Sequence, residues 1–543
     1  MQNTHSDSPS SPTPLGCSPF DFTYDPTLLM KIFYTAQRLK DGINVEIYNQ
    51  IRDCTHLIDD KFRASPLVAG YFLDILRGRE VGEILRQMHE LEILDKYIPE
   101  FGAIKNFVRH EEYHQYAVDE HTLVAIENLD EAKLSIIPNS GHLVEMLCGL
   151  QKLELLRLAI LLHDVGFGIK GPGGHEDKSL RAAKAVLGRL GVLDEADTEM
   201  VLFLIDNHLQ MSQTAQSRDL DDGKVIQRFA ELVKDEEHLV MLYLFTFADM
   251  RAVGRGVWSD WNAALLWELY AKTSNLLRGD LEADRLQITA IKDEVSKLIG
   301  RSIDVKSIQK HFDTMPQGQL LYSNPDEIAK HITLIEQLKN SPLILDCREE
   351  TNNYSQIIVT CARDELGIFS KMAGVLASQN INILSAQVNT REDGIVLDIL
   401  NVTDGNTGKS INNQKCQQVE SLLQSVLMGE TDIETLLNCQ EFSKDKAVTK
   451  VTIAPEITIN NDDSGTCTII DVQAEDRIGL LYTISQAFYQ LRLNLHLAKI
   501  STKGRRAVDV FYVQSENGYK ILNPERLHEI KTVLEETLAT ASG

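Results

Sequence analysis

Ala362 to Thr390 reads ARDELGIFSKMAGVLASQNINILSAQVNT, and Ala474 to Thr502 reads AEDRIGLLYTISQAFYQLRLNLHLAKIST. The two stretches align without a gap over 29 positions, placing Asp364, Gly367 and Asn382 over Asp476, Gly479 and Asn494, so the chain carries two copies of one unit. Each copy reads as a strand, a D-x-x-G turn, an amphipathic helix, a strand opening at N-x-x-x-A and a further strand (Gly394 to Val402; Arg506 to Val513). With the later helical patterns Asn412 to Leu427 and Pro524 to Leu538, this predicts two α+β units of βαββαβ, ferredoxin-like topology, over 355–435 and 466–541. Gly367 and Gly479 let the chain turn tightly from strand to helix, leaving backbone N–H groups at a helix N-terminus available to a carboxylate. They serve either a ligand or the turn alone.

Upstream of the repeat the texture changes. From Asp21 to about Asn340 apolar residues recur at helical spacing, as in Val81, Ile84, Leu85, Met88, Leu91 and Leu94, and β-branched alternation is scarce. A multidomain chain is expected: an all-α block first, then the two α+β units, with LKNSPLILDCREETNNYS (338–355) as the boundary. The first twenty residues, rich in Ser and Pro, read as a disordered leader; they lack the basic start and apolar run of a secretion signal.

The 543 residues allow three or four domains. With 54 Lys+Arg against 79 Asp+Glu the formal charge is −25, which argues against nucleic-acid or anionic-membrane binding; a phosphate-bearing substrate would need a local cation. The longest nearly uninterrupted apolar stretch, Leu239 to Ala248, is about half of the ~20 residues a membrane span requires. Eight cysteines without a CxxC pair read as packing residues or surface thiols, which fits a cytoplasmic, reducing setting.

Within the helical block, histidines and aspartates occur in an ordered series: His121 in VDEHTL, His163-Asp164 in LAILLHDVG, His175 in GPGGHED, His208 in IDNHLQMS and Asp249 in FTFADMR. Imidazole and carboxylate donors suit Mg²⁺, Mn²⁺, Fe²⁺ or Zn²⁺. His163 and Asp164 end the apolar run Leu155 to Leu162, and Asp249 follows Leu242, Leu244, Phe245 and Phe247. Polar groups in such runs are costly unless they are paired or bound to a cation.

This series resembles the H…HD…D signature of the HD superfamily of metal-dependent phosphohydrolases. The resemblance implies that His121, His163, Asp164 and Asp249 hold a primary metal, Mg²⁺ or Mn²⁺ with Fe²⁺ or Zn²⁺ as alternatives, and that His175 and His208 serve a second. The repeated units resemble ACT domains, which implies amino-acid binding at Asp364, Gly367, Asn382, Asp476, Gly479 and Asn494 and association through the sheets, including into homo-oligomers. The whole order, with YIPEFGAI (97–104), HEEYHQYAVDEHTL (110–123), NHLQMSQTAQSRDL (207–220) and ADMRAVGRGVWSDWNAALLWELY (248–270), is similar to the bifunctional PII uridylyltransferase/uridylyl-removing family.

That resemblance divides the chain into a helical lead-in (21–105), an HD domain with a helical extension (106–340) and the ACT pair. It implies a phosphodiesterase that removes UMP from a uridylylated PII-type signal protein under glutamine control, with His163 and Asp164 at the chemistry. Nothing before His121 supplies the Gly-rich turn and D-x-D pair of nucleotidyl transfer, so uridylyltransferase activity is not expected of this sequence. The family's lysine soon after the HD pair is replaced by Phe167, with Lys170 three residues later as the substitute. Alternatives are hydrolysis of a free nucleotide and a non-catalytic amino-acid-sensing scaffold. His110 and His114, Arg218 and Arg251 are further candidates for phosphate contact or plain surface residues; Trp258, Trp261 and Trp267 read as core.

Overall fold

The computed structural model describes residues 21–540 apart from 40–41, 109–115, 135–140, 221, 255–257, 259, 280, 301, 316–319, 321–323, 350–353, 363–366, 389, 392, 439–453, 501 and 504–505. The leader 1–20, His110, His114 and Asp364 therefore lie outside the described residues. The chain divides into two compact units: Met1–Met211 with Val240–Trp258, and Ser212–Leu239 with Ser259–Gly543.

The first unit is helical. Its lead-in includes α1 (Leu28–Leu39), α2 (Pro66–Arg77) and α3 (Val81–Glu90). Ser65 accepts from the Val68 N–H and Pro66 fills the first position of α2, a start written in the sequence. Next come α4 (Val118–Lys133), α5 (Leu153–Leu162), α6 (His175–Leu190) and α7 (Glu195–Asp206). Every residue of α5 is buried, including Glu154 and Arg157, and the two terminal nitrogens of its one guanidinium are paired. Arg157 pairs with Asp130 of α4 at 2.5 Å and donates to the carbonyls of Leu76 (2.6 Å) and Gly78 (3.1 Å), tying lead-in to core. In chain order α8 (Gln210–Ser217), α9 (Gly223–Val233) and α10 (Glu236–Val253) follow; α9 belongs to the second unit, and α8 and α10 each cross the division between the units.

The second unit holds α11 (Leu281–Ile299), α12 (Val305–Thr314), α13 (Pro325–Gln337) and two antiparallel sheets. In the first sheet β1 (Leu343–Glu349), β2 (Ser355–Cys361), β3 (Ile381–Gln387) and β4 (Val396–Asp404) lie in the order β1-β2-β4-β3, with α14 (Ile368–Ser378) and α15 (Asn413–Leu427). The second sheet has β5 (Glu456–Asn460), β6 (Thr468–Glu475), β7 (Leu493–Lys499) and β9 (Arg506–Ser515) in the order β5-β6-β9-β7, with the short β8 (Thr502–Lys503) on β9 and helices α16 (Leu480–Gln490) and α17 (Pro524–Thr540).

This corrects the expected topology. Each copy runs ββαββα, because the fourth strand comes from before the repeat (β1, β5) and not after its last helix. The sheet is the same; LILDCRE (343–349), taken for linker, is its edge strand because Ile344 has the apolar face of α11–α13 to cover. One core joins the inner faces of both sheets, running from Ile357, Leu376 and Leu400 to Ile470, Phe488 and Phe511. The outer face of the first sheet (Ile344, Ile358, Leu397, Ile399) is covered by Val295, Ile308, Phe312 and Ile332 of the preceding helices.

Cys347 of β1 and Cys416 of α15 are disulfide-bonded, correcting the reading of all eight cysteines as thiols; they are 69 residues apart in sequence and meet only because the edge strand lies beside α15. Among the described residues no helix is long and apolar enough to cross a membrane.

Candidate functional site

His121, in the first turn of α4, and Asp249, near the end of α10, are brought together by helix packing: His121 Nε2 lies 2.8 Å from Asp249 Oδ1. The Asn128 side chain, seven residues along α4, donates to the Ala248 carbonyl at 3.1 Å and fixes this register. His163 caps the C-terminus of α5 and Asp164 follows in the turn that starts the short 3₁₀ helix Val165–Gly168. On a regular helix two neighbours point about 100° apart and do not face one ion; leaving the helix at Asp164 removes that conflict. His163 Nε2 is 3.4 Å from Asp164 Oδ2 and 3.6 Å from Asp249 Oδ1.

The remaining histidines meet the other side of Asp164. His175, the first residue of α6, has Nε2 3.9 Å from Asp164 Oδ1, and His208, just beyond α7, is buried beside His163 with ring centroids 5.3 Å apart. The turn is packed so closely on α6 that a Cβ on Gly166 would come within 2.1 Å of the His175 carbonyl oxygen. All six residues drawn from the sequence thus converge. Two trios, His121–His163–Asp164 and Asp164–His175–His208, each offer ligand atoms within 4.8 Å of one another, with Asp164 shared.

The electrostatics suit a cation. Burial alone would lower the basicity of His163, but the carboxylates of Asp164 and Asp249 raise it well above the usual imidazole range. Burial would favour neutral carboxyls, yet His163 holds Asp164, and His121 with His163 holds Asp249, below the ordinary carboxylate range, so both stay ionised. His208 is pushed down by burial and by His163. His163 and His208 each donate through Nδ1 to the backbone carbonyl three residues earlier, both at 2.7 Å, which directs Nε2 toward the carboxylates. Four imidazoles and two ionised carboxylates around a common centre fit one or two divalent ions.

Other expected residues are placed differently. Lys170 is exposed, beyond the 3₁₀ turn, and is not part of this cluster. Phe167, in the position of the family's lysine, stacks on His175 with centroids 4.1 Å apart. Arg218 pairs with Asp463 and Asp471, and Arg251 with Glu131. Trp258 packs edge-on against Phe247 and Trp267 stacks on Tyr270, as packing residues do; the Trp261 side chain lies outside the described residues. Phe245, in the apolar run before Asp249, packs edge-on against the His163 ring.

In the second unit, α14 packs on α16 and β3 lies next to β7. Two clefts result, and each draws on both repeats. One is lined by Asp476, Gly479 and Tyr482 of the second copy and by Asn382 of the first; the other by Gly367 and Ser370 of the first and by Asn494 and Tyr489 of the second. Each encloses about 30 Å³, room for a water or two, so a larger ligand must displace a side chain. Asp509 lines the first cleft and Asp398 the second; both are buried and occupy matching positions, two residues before the partners of Ala498 and Ala386. A carboxylate inside the apolar runs VLDILNV and VDVFYV was their signal in the sequence.

Comparison with known proteins places these parts. The profile of the Uridylyltransferase GlnD third domain matches residues 18–97, that of the ACT domain 355–414 and that of the ACR family N-terminal ACT domain 463–541. The class is thus an ACT-domain protein with two such modules behind a helical unit. The bifunctional uridylyltransferase/uridylyl-removing enzyme of Azospirillum brasilense is 33% identical over 539 residues, 96% of this chain and 56% of that protein. Those of Azotobacter vinelandii and Bradyrhizobium diazoefficiens are each 32% identical over 95% and 96% of this chain, and 58% and 56% of their own lengths. The chain is homologous over nearly all of its length to the bifunctional uridylyltransferase/uridylyl-removing enzymes, and spans somewhat more than half of theirs.

Proposed function

We propose that the chain is a metal-dependent phosphodiesterase of the HD type that releases UMP from a uridylylated PII-type signal protein, under control of glutamine bound by the ACT pair. The observation that carries this reading is the cluster of buried His121, His163 and Asp164 with the part-buried Asp249 against both histidines, and with His175 and His208 against the same Asp164. Two ionised carboxylates, Asp164 just beyond α5 and Asp249 within α10, call for a cation, and a chain of formal charge −25 has few other means of holding a phosphate. Homology to uridylyl-removing enzymes supports the reaction class.

His121, His163, Asp164 and Asp249 would hold Mg²⁺ or Mn²⁺, with Fe²⁺ and Zn²⁺ as alternatives, and His175 and His208 would serve a second ion. Such an ion, when bound, lowers the pKa of a coordinated water and polarises the phosphoryl oxygen. The protein's own part is to fix Nε2 of His163 and His208 through their Nδ1 hydrogen bonds, to keep Asp164 and Asp249 ionised, and to exclude bulk water with Phe245. Phe167 closes the His175 side, so contact with the phosphate falls to Lys170 from the exposed loop. The cleft at Gly479, and that at Gly367 once Tyr489 is moved aside, would take the α-carboxylate of the effector on backbone N–H groups.

Incubating uridylylated PII-type protein with the chain and Mn²⁺ or Mg²⁺, with and without glutamine, tests the proposal; no release of UMP under any condition refutes it. The stacking of Phe167 on His175 favours one second reading, hydrolysis of a free nucleotide, and a nucleotide screen run alongside separates the two.

A further inference from the structure

Residues 212–239 lie in the chain between His208 and Asp249, yet they pack with the second unit. Beside the helix Asp260–Arg278, on which α9 packs and whose Lys272 Nζ donates to the Leu220 carbonyl at 2.8 Å, their partners are the outer face of the second sheet and its β5–β6 loop. The Asp219 N–H donates to Tyr512 Oη at 2.6 Å, and Lys499 Nζ donates to the carbonyls of Ala215 (3.0 Å) and Arg218. Arg218 Nε is 3.2 Å from Asp463 and its Nη1 3.4 Å from Asp471; Asp222 accepts from the Gly465 N–H at 3.0 Å; Arg228 pairs with Asp463.

Two features distinguish this contact from ordinary surface pairing. Tyr512 and Lys499 bond to backbone groups at the C-terminal end of α8, where helix carbonyls lack intrahelical partners and a cation is favoured, so the sheet fixes the main chain there. And the strand that supplies Tyr512 also supplies the Gly479 cleft. Asp509, three residues earlier on β9, lines that cleft; an odd separation on a strand puts the two side chains on opposite faces. Ala507, Phe511 and Val513 share the core with α16 and α17, while Val510 and Tyr512 belong to the outer cluster.

The segment held in this way is joined to the histidine–aspartate cluster at both ends by short, stiff connections. Helix α8 begins two residues after His208, and α10 runs unbroken from Glu236 through Asp249 to Val253. Among the cluster's residues, these two are the ones that flank the segment directly.

We infer that residues 212–239 are the element through which the second ACT sheet acts on the metal-binding cluster, with Tyr512, Lys499 and Arg218 as positioning residues. The inference rests on the reading that the Gly479 cleft takes the amino acid and that the cluster hydrolyses the phosphodiester. A ligand in that cleft shifts β9, β9 shifts the end of α8, and His208 and Asp249 move or are held accordingly. None of the three residues touches substrate.

The test uses the full chain, Mn²⁺, uridylylated PII-type protein as substrate and glutamine as the effector probe. Coupled sites typically change each other's properties by ~5-fold or more, and a glutamine response of that order in UMP release is expected of the unaltered chain. Tyr512→Phe, which removes one hydroxyl, and Arg218→Ala should each reduce the response to under ~2-fold, while melting temperature and rate without glutamine stay near those of the unaltered chain. The conservative Arg218→Lys, which keeps a cation beside Asp463 and Asp471, should restore most of the response that Arg218→Ala loses. A full response in both variants overturns this inference alone. Absence of a glutamine response in the unaltered chain overturns the effector reading, and this inference with it.

Discussion

At the scale of single residues the cluster is decided by a few atoms. His163 sits against two ionised carboxylates, and its Nδ1 is fixed by the Ile160 carbonyl. His163→Ala should abolish co-purifying divalent metal, read by elemental analysis, and lower hydrolysis by several orders of magnitude, while His175→Ala lowers occupancy of a second ion only. A metal content unchanged in both variants would refute the assignment. Arg157 makes a different kind of prediction. It is fully buried and paired with Asp130, and removing one partner of such a pair leaves an uncompensated buried charge, at a cost of ~3–5 kcal/mol. Arg157→Ala should therefore lower the first thermal transition markedly without a metal ligand having been touched.

Two buried histidines of the second unit set an acid limit. Burial, with the Arg391 guanidinium beside it, pushes His311 down to about 3, and burial with Arg348 nearby pushes His331 down to about 4. His311 stays neutral so that Nδ1 can accept from Arg391 Nη1 at 3.0 Å. Because the folded values lie below the unfolded one of about 6.5, the unfolded chain takes up protons first as pH falls. Stability from these groups is whole above pH 6.5 and declines as pH falls toward 4. Melting curves at pH 7.5 and 5 should show this decline in the second unit's transition, and His311→Gln should flatten it.

At the scale of elements the two ACT copies are not equivalent, although their sequences align without a gap. At position 489 a tyrosine lies so close to Gly367 that a Cβ there would be 2.6 Å from its ring, whereas the matching Ala377 leaves 3.8 Å beside Gly479. Both glycines have positive φ, 88° and 86°, so substituting either is strained in its own right. Calorimetry should find one glutamine per chain, bound at the Gly479 cleft; Tyr489→Ala should raise that number toward two, and Gly479→Ala should abolish the first site. The repeat was legible at once from its spacing. That each cleft combines the turn of one copy with the asparagine of the other was not, because pairing between copies depends on how α14 packs on α16 and leaves no mark at fixed sequence distance.

At the scale of the whole molecule, chain order and compact units disagree. The segment 212–239 interrupts the first unit in sequence and packs with the second, and the outer face of each sheet is covered inside its own unit. Association through the sheets would therefore have to use their edges, such as β1 or β5, and not an open face. A reductant should loosen the β1 edge by opening Cys347–Cys416, so the second unit's melting temperature is expected to fall on reduction and to be insensitive to reductant in Cys416→Ser.

The sequence by itself determined the helical block, the two α+β repeats, the ordered histidines and aspartates and the acidic balance. These are properties of periodicity, spacing and composition, which survive in one dimension. Tertiary structure alone decided that the edge strands come from before each repeat, that Asp164 is shared by two trios, that Phe167 lies on His175, and that the stretch between His208 and Asp249 belongs with the second sheet. Each of these depends on which faces meet when helices and sheets pack, and such contacts, from Phe167–His175 to Asp219–Tyr512, leave no periodic signature in the chain.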